Sequence, residues 1–341
     1  MRIAQVIIGY HPRVGGYGRH VNLISKGLRS RGREVRILTT SFSPGVVKEE
    51  EGVKRFWNTP FLKVTPGLLK HLVNADYDLV HVHGYPSFQP FITRLAKKRA
   101  GFPLVFTPHY HPFGNKPRFV RRAFDKVFGE PSLRAADKVI ALTDYEKGLL
   151  AKIVSEDRIS VIPNPVNLSE LKRVKGFKKK HGLGSYVLFV GRLESGKGLD
   201  YLVEAVGDND LVVIGRDAGA AFKVKPNVHV LGEVSQEELM MAYTECSLLA
   251  LPSRYEAFGI VLIEAMSYGK PVIGTKAGPV PSIINKAGLT VPYGDVRALR
   301  RAIKKVLANP GRFSRHARKQ AEQYDVKRVV DKLLKVYEVV L

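Results

Sequence analysis

The stretch from Ser253 to Gly269, SRYEAFGIVLIEAMSYG, most constrains the fold of this chain. A short apolar run at 247–252 precedes it, and a second at 269–275 follows it. The spacing predicts a helix that starts near Gly259, between two buried strands. A helical crossover returns the chain to the same end of a sheet, so strands joined in this way lie parallel. The stretch therefore predicts a parallel α/β sheet.

The same stretch carries two carboxylates, Glu256 before the first turn of the helix and Glu264 inside it, with seven residues between them. A helix N-terminus after a strand is suited to bind an anion, because its first N–H groups have no partner within the helix. Carboxylates do not bind phosphate, but they accept hydrogen bonds from hydroxyl groups. An anion site flanked by two hydroxyl acceptors is typical of a nucleotide-sugar pocket.

Strand and helix patterns alternate along the rest of the chain, which predicts an α/β protein with two Rossmann-like domains that have parallel sheets. The predicted N-terminal domain spans 1–165, and the polar, basic segment 165–184 predicts the linker. The predicted C-terminal domain spans 166–325, and an amphipathic helix follows at 326–341. The predicted strands lie at 3–9, 34–40, 53–57, 78–84, 103–111, 136–144, 158–164, 186–193, 211–215, 228–232, 247–252 and 271–274.

Composition limits the class of protein. The chain has 341 residues, enough for two hydrophobic cores, and 45% of them are hydrophobic, as in soluble globular proteins. No apolar run is long enough to cross a bilayer, and the first residues have the pattern of a buried strand rather than of a signal peptide. The single cysteine, Cys246, excludes an intrachain disulfide, which favours a cytoplasmic protein.

The chain is strongly basic, with 55 Lys and Arg against 31 Asp and Glu, a net charge of +24. Residues 1–165 hold 27 of the basic and 13 of the acidic side chains. Such a field attracts phosphorylated substrates, anionic lipid or nucleic acid, and a solvated basic surface without a partner fits equally. No aromatic-rich recognition motif accompanies the charge, so specific nucleic-acid binding is not expected.

Residues 118–128 have the spacing of a basic amphipathic helix with five apolar side chains on one side. Peripheral binding to an anionic membrane at its inner face and an ordinary surface helix both fit this pattern. The cations are Arg118, Arg121, Arg122 and Lys126, and the apolar residues are Phe119, Val120, Phe124, Val127 and Phe128.

Four histidines lie on two neighbouring predicted strands, toward their carboxyl ends: His81, His83, His109 and His111. A metal site is the alternative that they raise. No carboxylate or cysteine shares their spacing, so no metal is predicted.

A second motif, GRLESGKG, places Arg192 and Lys197 just past a strand end, five residues apart. Alone they would be read as solvated cations. Beside a helix N-terminus in the same domain, they are suited to neutralise a diphosphate. Fixed cations and dipoles of this kind stabilise the charge that grows on a departing nucleoside diphosphate, without a metal.

GRLESGKG followed by SRYEAFGIVLIEAMSYGKPVIGT resembles glycosyltransferase family 4, the retaining enzymes of the GT-B fold. The resemblance runs over essentially the full length, including the GGYG loop, TPHYH, ALTDYEK and VIPNPVN. It implies two facing Rossmann-like domains with a cleft between them, and a helix at 326–341 that packs on the N-terminal domain. Ser282, where a glutamate is common, and Asn164-Pro165, in place of an asparagine-glycine pair, depart from the family pattern.

The resemblance also implies roles for single residues. Arg192 and Lys197 would hold the diphosphate, Glu264 the ribose and Glu256 the transferred sugar, as a nucleophile or only as a hydroxyl ligand. His109 would line the reacting centre. The implied catalytic residues are Glu256, His109, Arg192 and Lys197. The implied donor-binding residues are Gly15, Gly16, Arg192, Lys197, Glu256, Ala257, Phe258, Gly259, Ile260 and Glu264.

The sequence thus predicts a metal-independent retaining glycosyltransferase. It would move a sugar from a UDP-, GDP- or ADP-sugar to a lipid-linked or glycan acceptor, with no cofactor. The alternatives are a nucleotide-sugar epimerase or a phosphorylase on the same fold, and a polyanion-binding protein. A phosphorylase of this architecture would need a lysine for pyridoxal phosphate, and no segment singles one out.

Overall fold

The computed structural model of the protein describes residues 1–10, 16–41, 51–59, 65–110 and 118–341. The chain divides into two compact units, each with its own parallel sheet. The N-terminal unit comprises Met1–Pro165 together with Val326–Leu341, and the C-terminal unit comprises Val166–Asp325.

The N-terminal unit contains a seven-stranded sheet in the order β3-β2-β1-β4-β5-β6-β7. The strand order reverses between β1 and β4, which pair with each other in parallel. Its strands are β1 Arg2–Val6, β2 Glu34–Ser41, β3 Val53–Trp57, β4 Leu79–His83, β5 Leu104–Thr107, β6 Lys138–Ala141 and β7 Ile159–Val161. Its first helices are α1 Gly16–Arg29, α2 Pro66–Asn74, α3 Gln89–Ala100, α4 Arg118–Phe124, α5 Glu130–Ala135 and α6 Asp144–Leu150.

The C-terminal unit contains a six-stranded parallel sheet in the order β10-β9-β8-β11-β12-β13, and its order reverses between β8 and β11. Its strands are β8 Tyr186–Val190, β9 Asp210–Ile214, β10 Val228–Gly232, β11 Leu248–Leu251, β12 Val272–Thr275 and β13 Gly288–Val291. Its helices are α7 Phe177–His181, α8 Leu199–Ala205, α9 Gln236–Glu245, α10 Ile260–Ser267, α11 Val280–Ile284, α12 Val296–Ala308 and α13 Pro310–Ala321.

Buried apolar strands explain why the sequence predicted both sheets. Strands β4, β5, β8 and β11 are buried at every residue, which is the mark of a parallel sheet covered on both faces. Each predicted strand is present. The sequence analysis missed β13, because its four residues begin with glycine and are only partly apolar.

The last helix, α14 at Val326–Val340, belongs to the core of the N-terminal unit. Its residues Val330, Leu333 and Tyr337 are buried in one hydrophobic cluster with Ile3 on β1 and Leu28 on α1. One face of the first sheet is therefore covered by the end of the chain.

The helix predicted at 118–128 is present as α4, which continues as a π-helical turn at Asp125–Gly129. The prediction that its apolar side chains share one side is wrong. The rings of Phe124 and Phe128 contact each other and are half-buried, whereas Phe119 is 75% exposed and Val127 54%. A π turn has more residues than an α turn, so it shifts the side chains from Asp125 onward, including Val127. Phe119 lies before the turn and is exposed on α4 itself.

Among the described residues, none of the helices combines the length and the apolar character that crossing a membrane requires.

The burial of α14 predicts a large effect for a single truncation. Leu333→Ala should lower the free energy of unfolding of the N-terminal unit by about 2–5 kcal/mol, because it leaves a cavity in the core. Val339→Ala on the same helix is the matched control, since Val339 is 71% exposed and should change stability little. Urea denaturation of both variants measures the difference, and equal losses would contradict the placement of α14.

Candidate active site

Two loops of the C-terminal unit leave the sheet where its strand order reverses. One loop, 191–198, follows β8, and the other, 252–259, follows β11; these strands are neighbours, with Leu248 paired to Val187. In open parallel sheets, ligands bind beyond the carboxyl ends of the strands at such a reversal. The two motifs that the sequence analysis singled out therefore share the expected binding edge of one sheet.

Backbone contacts hold the two loops against each other. The amide of Arg254 donates to the carbonyl of Gly196 at 2.7 Å. Gly198 adopts a left-handed conformation with φ of 71°, and a Cβ there would lie 2.2 Å from the carbonyl oxygen of Pro252. Only glycine permits this approach of the two backbones.

An ion pair joins the loops at their side chains. Lys197 Nζ lies 2.7 Å from Glu256 Oε1, and the two side chains are 19% and 13% exposed. An ammonium group has three donors, so Lys197 can bond an anion while it keeps Glu256. The structure thus brings together the predicted cation and the predicted sugar-facing carboxylate.

Arg192 lies on the same loop as Lys197 but has a different partner. Its guanidinium pairs with Glu194 at 2.8 Å, and its side chain is 60% exposed. Arg192 is therefore a solvent-facing cation of this loop, and the sequence analysis did not identify its carboxylate partner.

Helix α10 begins directly after the second loop. Gly259, with φ of 81°, precedes Ile260, and a Cβ on it would lie 3.0 Å from Leu262 Cδ1. The first N–H groups of the helix have no partner within it, so they are available to an anion. Phe258 is buried and its ring packs edge-on against Tyr324, while Ala257 is half-buried.

The second carboxylate, Glu264, lies inside α10 and is 5% exposed. Its Oε2 accepts a 2.7 Å hydrogen bond from the hydroxyl of Tyr243 on α9. Tyr243 was not predicted from the sequence, because it is 21 positions from Glu264 and no periodic signal joins the two.

The N-terminal unit holds the other predicted residues. Gly16 is the first residue of α1, and Gly15 lies outside the described residues. His109, just past β5, is 2% exposed and adopts φ of 50°, a conformation that is uncommon for a residue with a side chain. Its ring stacks on Tyr17 at 4.4 Å between centroids.

A buried carboxylate holds the segment that carries His109. Glu146, on α6, accepts hydrogen bonds from the amides of Tyr110 and Leu142 with its two oxygens. Burial raises the pKa of Glu146 to about 7, and the two amide donors oppose that rise. Glu146 lies in the ALTDYEK segment of the family resemblance, but no role was predicted for it from the sequence.

Three of the four histidines that raised the metal alternative lie together in the N-terminal unit, since the ring centroids of His81 and His83 are 4.1 Å apart and those of His83 and His109 are 6.0 Å apart. His81 contacts the Tyr337 hydroxyl and Thr107 Oγ1, each at 2.7 Å, and His83 contacts Gln5 Oε1 at 2.7 Å. His111 lies outside the described residues. Burial lowers the pKa of His81, His83 and His109 well below the ordinary value.

A histidine that the sequence analysis did not single out, His20, joins this group from α1. Its ring lies 5.4 Å from that of His83 and 5.1 Å from that of His109. Burial lowers the pKa of His20 to about 4. Its signal in the sequence is weak, because one histidine on the inner face of a helix is usually a core residue.

Comparisons with known proteins agree with these features. Residues 14–170 match the family model of Glycosyltransferase Family 4, and residues 172–324 match that of Glycosyl transferases group 1. The phosphatidyl-myo-inositol mannosyltransferase of Mycobacterium leprae is 27% identical over 378 residues, which cover 100% of this chain and 97% of that protein.

Two solved structures share the fold at 20% identity. Sucrose-phosphate synthase from Thermosynechococcus elongatus superposes with a TM-score of 0.84, covering 99% of this chain and 98% of the other. HepE of Anabaena, in complex with UDP and glucose, superposes with a TM-score of 0.77, covering 99% and 100%.

The raised pKa of Glu146 predicts a pH dependence of stability. Between about pH 4.5 and 7 the folded state keeps a proton that the unfolded chain has released, so the folded state loses stability as the pH rises through this window. The size of the effect is about 3 kcal/mol. Glu146→Gln cannot ionise, and its stability should fall less with rising pH.

Urea denaturation at several pH values across this window measures the difference between wild type and Glu146→Gln. Glu156→Gln is the control, because Glu156 is exposed in the same unit. If Glu146→Gln and the wild type show the same dependence of stability on pH, Glu146 does not titrate in this pH window.

Proposed function

Because the chain belongs to glycosyltransferase family 4, a group 1 glycosyltransferase family, and has the GT-B fold, we propose that it transfers a sugar from a nucleoside diphosphate sugar to a lipid-linked or glycan acceptor. The protein is a glycosyltransferase. The donor, the acceptor, the retention of the anomeric configuration and the independence from metal are parts of the proposal.

The pair of Lys197 and Glu256 is the observation that carries the proposal. It lies at the reversal of strand order, next to the loop that leads into α10. A diphosphate bound there would meet the ammonium of Lys197 and the first amides of the helix. The carboxylate of Glu256 would be within reach of the sugar hydroxyls on the same diphosphate.

The chemistry requires charge stabilisation at the departing diphosphate. Lys197, Arg192 and the helix dipole are positive, fixed and close to one edge of the sheet, so they stabilise negative charge without reorganising. A protein that supplies these groups has no need for a metal ion at the diphosphate. These positive groups therefore support the proposed mechanism, which uses neither a metal ion nor a cofactor.

The other donor contacts follow from the same geometry. In this proposal the amides around Ala257, Phe258, Gly259 and Ile260 contact the phosphate and the sugar. Glu264, which Tyr243 orients, accepts hydrogen bonds from the ribose hydroxyls. Its position inside α10 separates it from Glu256 along the helix axis, as two contacts at opposite ends of one donor require.

The N-terminal unit contributes the remaining roles. We propose that the glycine loop at Gly15 and Gly16 contacts the donor phosphates and that His109 lines the reacting centre. The uncommon backbone of His109 and the anchoring of the next amide by Glu146 support a role that depends on position.

Relatives point to the classes of donor and acceptor. HepE of Anabaena has been solved with UDP-glucose. The mycobacterial relative is named a phosphatidyl-myo-inositol mannosyltransferase, which implies a lipid acceptor for that protein. These names support a nucleotide-sugar donor such as a UDP-sugar and a lipid acceptor for this chain, and the proposal keeps GDP- and ADP-sugars and glycan acceptors as alternatives.

Peripheral membrane binding at the cytoplasmic face is a further part of the proposal. Helix α4 and its π turn expose Phe119, Val120 and Val127 beside Arg122 and Lys126. Exposed apolar residues beside cations are typical of helices that lie on anionic bilayers. Arg121 is half-buried on the same helix, and the Arg118 side chain lies outside the described part of the chain.

The catalytic part of the proposal predicts the effect of two variants. Lys197→Met and Glu256→Gln should each lower sugar transfer by about 100–1000-fold, because each removes a charge at the departing diphosphate or the sugar. Lys179→Met and Glu204→Gln are controls, since both residues are exposed in the same unit.

A screen of UDP-, GDP- and ADP-sugars, with and without lipid acceptors, measures transfer and donor hydrolysis. The anomeric configuration of the product tests retention. Failure to hydrolyse or transfer from any nucleotide sugar would overturn the proposal, and so would full transfer by Glu256→Gln. Conversion of a nucleotide sugar into its epimer, without an acceptor, would instead identify an epimerase.

Liposome flotation tests the membrane part separately. The protein should float with vesicles that contain anionic lipid and much less with neutral vesicles, because both the cations and the apolar residues contribute. Val127→Ser should weaken flotation, whereas Val224→Ser, at an exposed valine of the other unit, should not. Equal flotation on neutral and anionic vesicles would count against an electrostatic contribution from α4.

A further inference from the structure

Three histidines from three separate elements converge in the N-terminal unit. His20 lies on α1, His83 ends β4 and His109 follows β5. All three are buried, and their ring centroids lie 5.1, 5.4 and 6.0 Å apart. One ring nitrogen from each lies within 4.8 Å of the other two.

Each of these histidines has a buried nitrogen with no hydrogen-bond partner within 3.5 Å among the described residues, although the Asn164 side chain lies close enough to His20 to oppose the lowering of its pKa by burial. The atoms are His20 Nδ1, His83 Nδ1 and His109 Nε2. Buried polar atoms are nearly always satisfied, so three such nitrogens in one cluster of rings require an explanation. A bound ion or a bound water is the candidate.

The hydrogen bonds around His83 fix its tautomer. The amide nitrogen of Gln5 donates to the Tyr337 hydroxyl at 3.1 Å, so the Gln5 oxygen faces His83 as an acceptor. His83 Nε2 therefore carries the hydrogen, and His83 Nδ1 presents a lone pair. An outer hydrogen bond of this kind orients histidines that bind metals.

The spacing of the rings fits one metal ion. Zinc binds imidazole nitrogen at about 2.0–2.1 Å, so tetrahedral zinc with three histidines places the ring centroids about 5.2 Å apart. Two of the three centroid distances agree with this value, and the third, between His83 and His109, is 6.0 Å. A water molecule hydrogen-bonded to all three rings would lie farther from each nitrogen, at about 2.7–3.2 Å, and would hold the centroids farther apart.

We propose that His20, His83 and His109 form a three-histidine site for a divalent transition metal ion such as Zn²⁺. Three imidazole ligands leave a fourth position for water or another ligand. No metal was expected from the sequence, because no carboxylate or cysteine shares the spacing of the four strand histidines. His20 was not considered there, and it lies 63 residues from His83.

Metal binding has a consequence for catalysis, and this consequence rests on the proposed role of His109 at the reacting centre. An ion bound at His109 Nε2 withdraws that nitrogen from substrate, so occupancy should inhibit transfer. The metal site itself does not depend on the transferase role, and its test measures binding alone.

Titration of the purified full-length protein with Co²⁺, followed by visible absorption, tests the site. One equivalent should bind and give the intense bands of tetrahedral cobalt, and Zn²⁺ should displace it. His20→Gln and His83→Gln should abolish the bands, whereas His316→Gln, at an exposed histidine of the other unit, should keep them.

Gln5→Met guards against variants that fail to fold, because it keeps all three ligands and removes the hydrogen bonds of Gln5 to His83 and to the Tyr337 hydroxyl. It should bind Co²⁺ about 10–100-fold more weakly than the wild type. The proposal is overturned if the wild type shows no saturable binding at one equivalent, or if folded His83→Gln or Gln5→Met binds like the wild type. Loss of transferase activity with intact metal binding would affect only the proposed function.

Discussion

The parallel hydrogen-bond ladder between β8 and β11 is the constraint on which the candidate active site depends. The carboxyl ends of parallel strands all lie at one edge of the sheet. Because the strand order reverses between β8 and β11, the loops that follow these two strands lead away to opposite sides and leave a space between them for a ligand. Lys197 and Glu256, 59 residues apart, meet because their strands are neighbours. The glycine at 198 then lets the backbones approach closely enough for the pair to form.

The fold was largely predictable from the sequence, because buried parallel strands are continuous apolar runs that local pattern detects. Strands β8 and β11 are examples, and the helix after Gly259 starts where the spacing places it. Local pattern does not detect β13, because Gly288 and Thr290 interrupt its apolar run and its two central residues are only half-buried. It also fails at Asp125–Gly129, since a π turn leaves no periodic trace that would show which side Phe128 takes.

The site was predictable only where motif residues stand close to strand ends. Glu256, Lys197 and Glu264 satisfied that condition. Residues that act through tertiary contacts were not predictable. Tyr243 donates to Glu264 from another helix, and Glu146 accepts from the amide of Tyr110, 36 positions away. Such contacts are set by tertiary packing, which brings side chains together that have no regular spacing in the chain.

The side chains at the two sites also differ in charge. The site residues of the N-terminal unit are buried neutral histidines, whereas those of the C-terminal unit are charged.

The position of α14 in the N-terminal core has a consequence for biosynthesis. Gln5 donates a hydrogen bond to the Tyr337 hydroxyl across 332 residues, so the N-terminal unit starts to be translated before the C-terminal unit and is completed after it. Its apolar face around Ile3 and Leu28 stays open while the whole C-terminal unit is translated. The C-terminal unit, which is continuous in sequence, has all of its strands and helices before translation ends. In the nascent chain the order of folding should therefore be the reverse of the order of synthesis, with the open face a target for chaperones until the final helix docks.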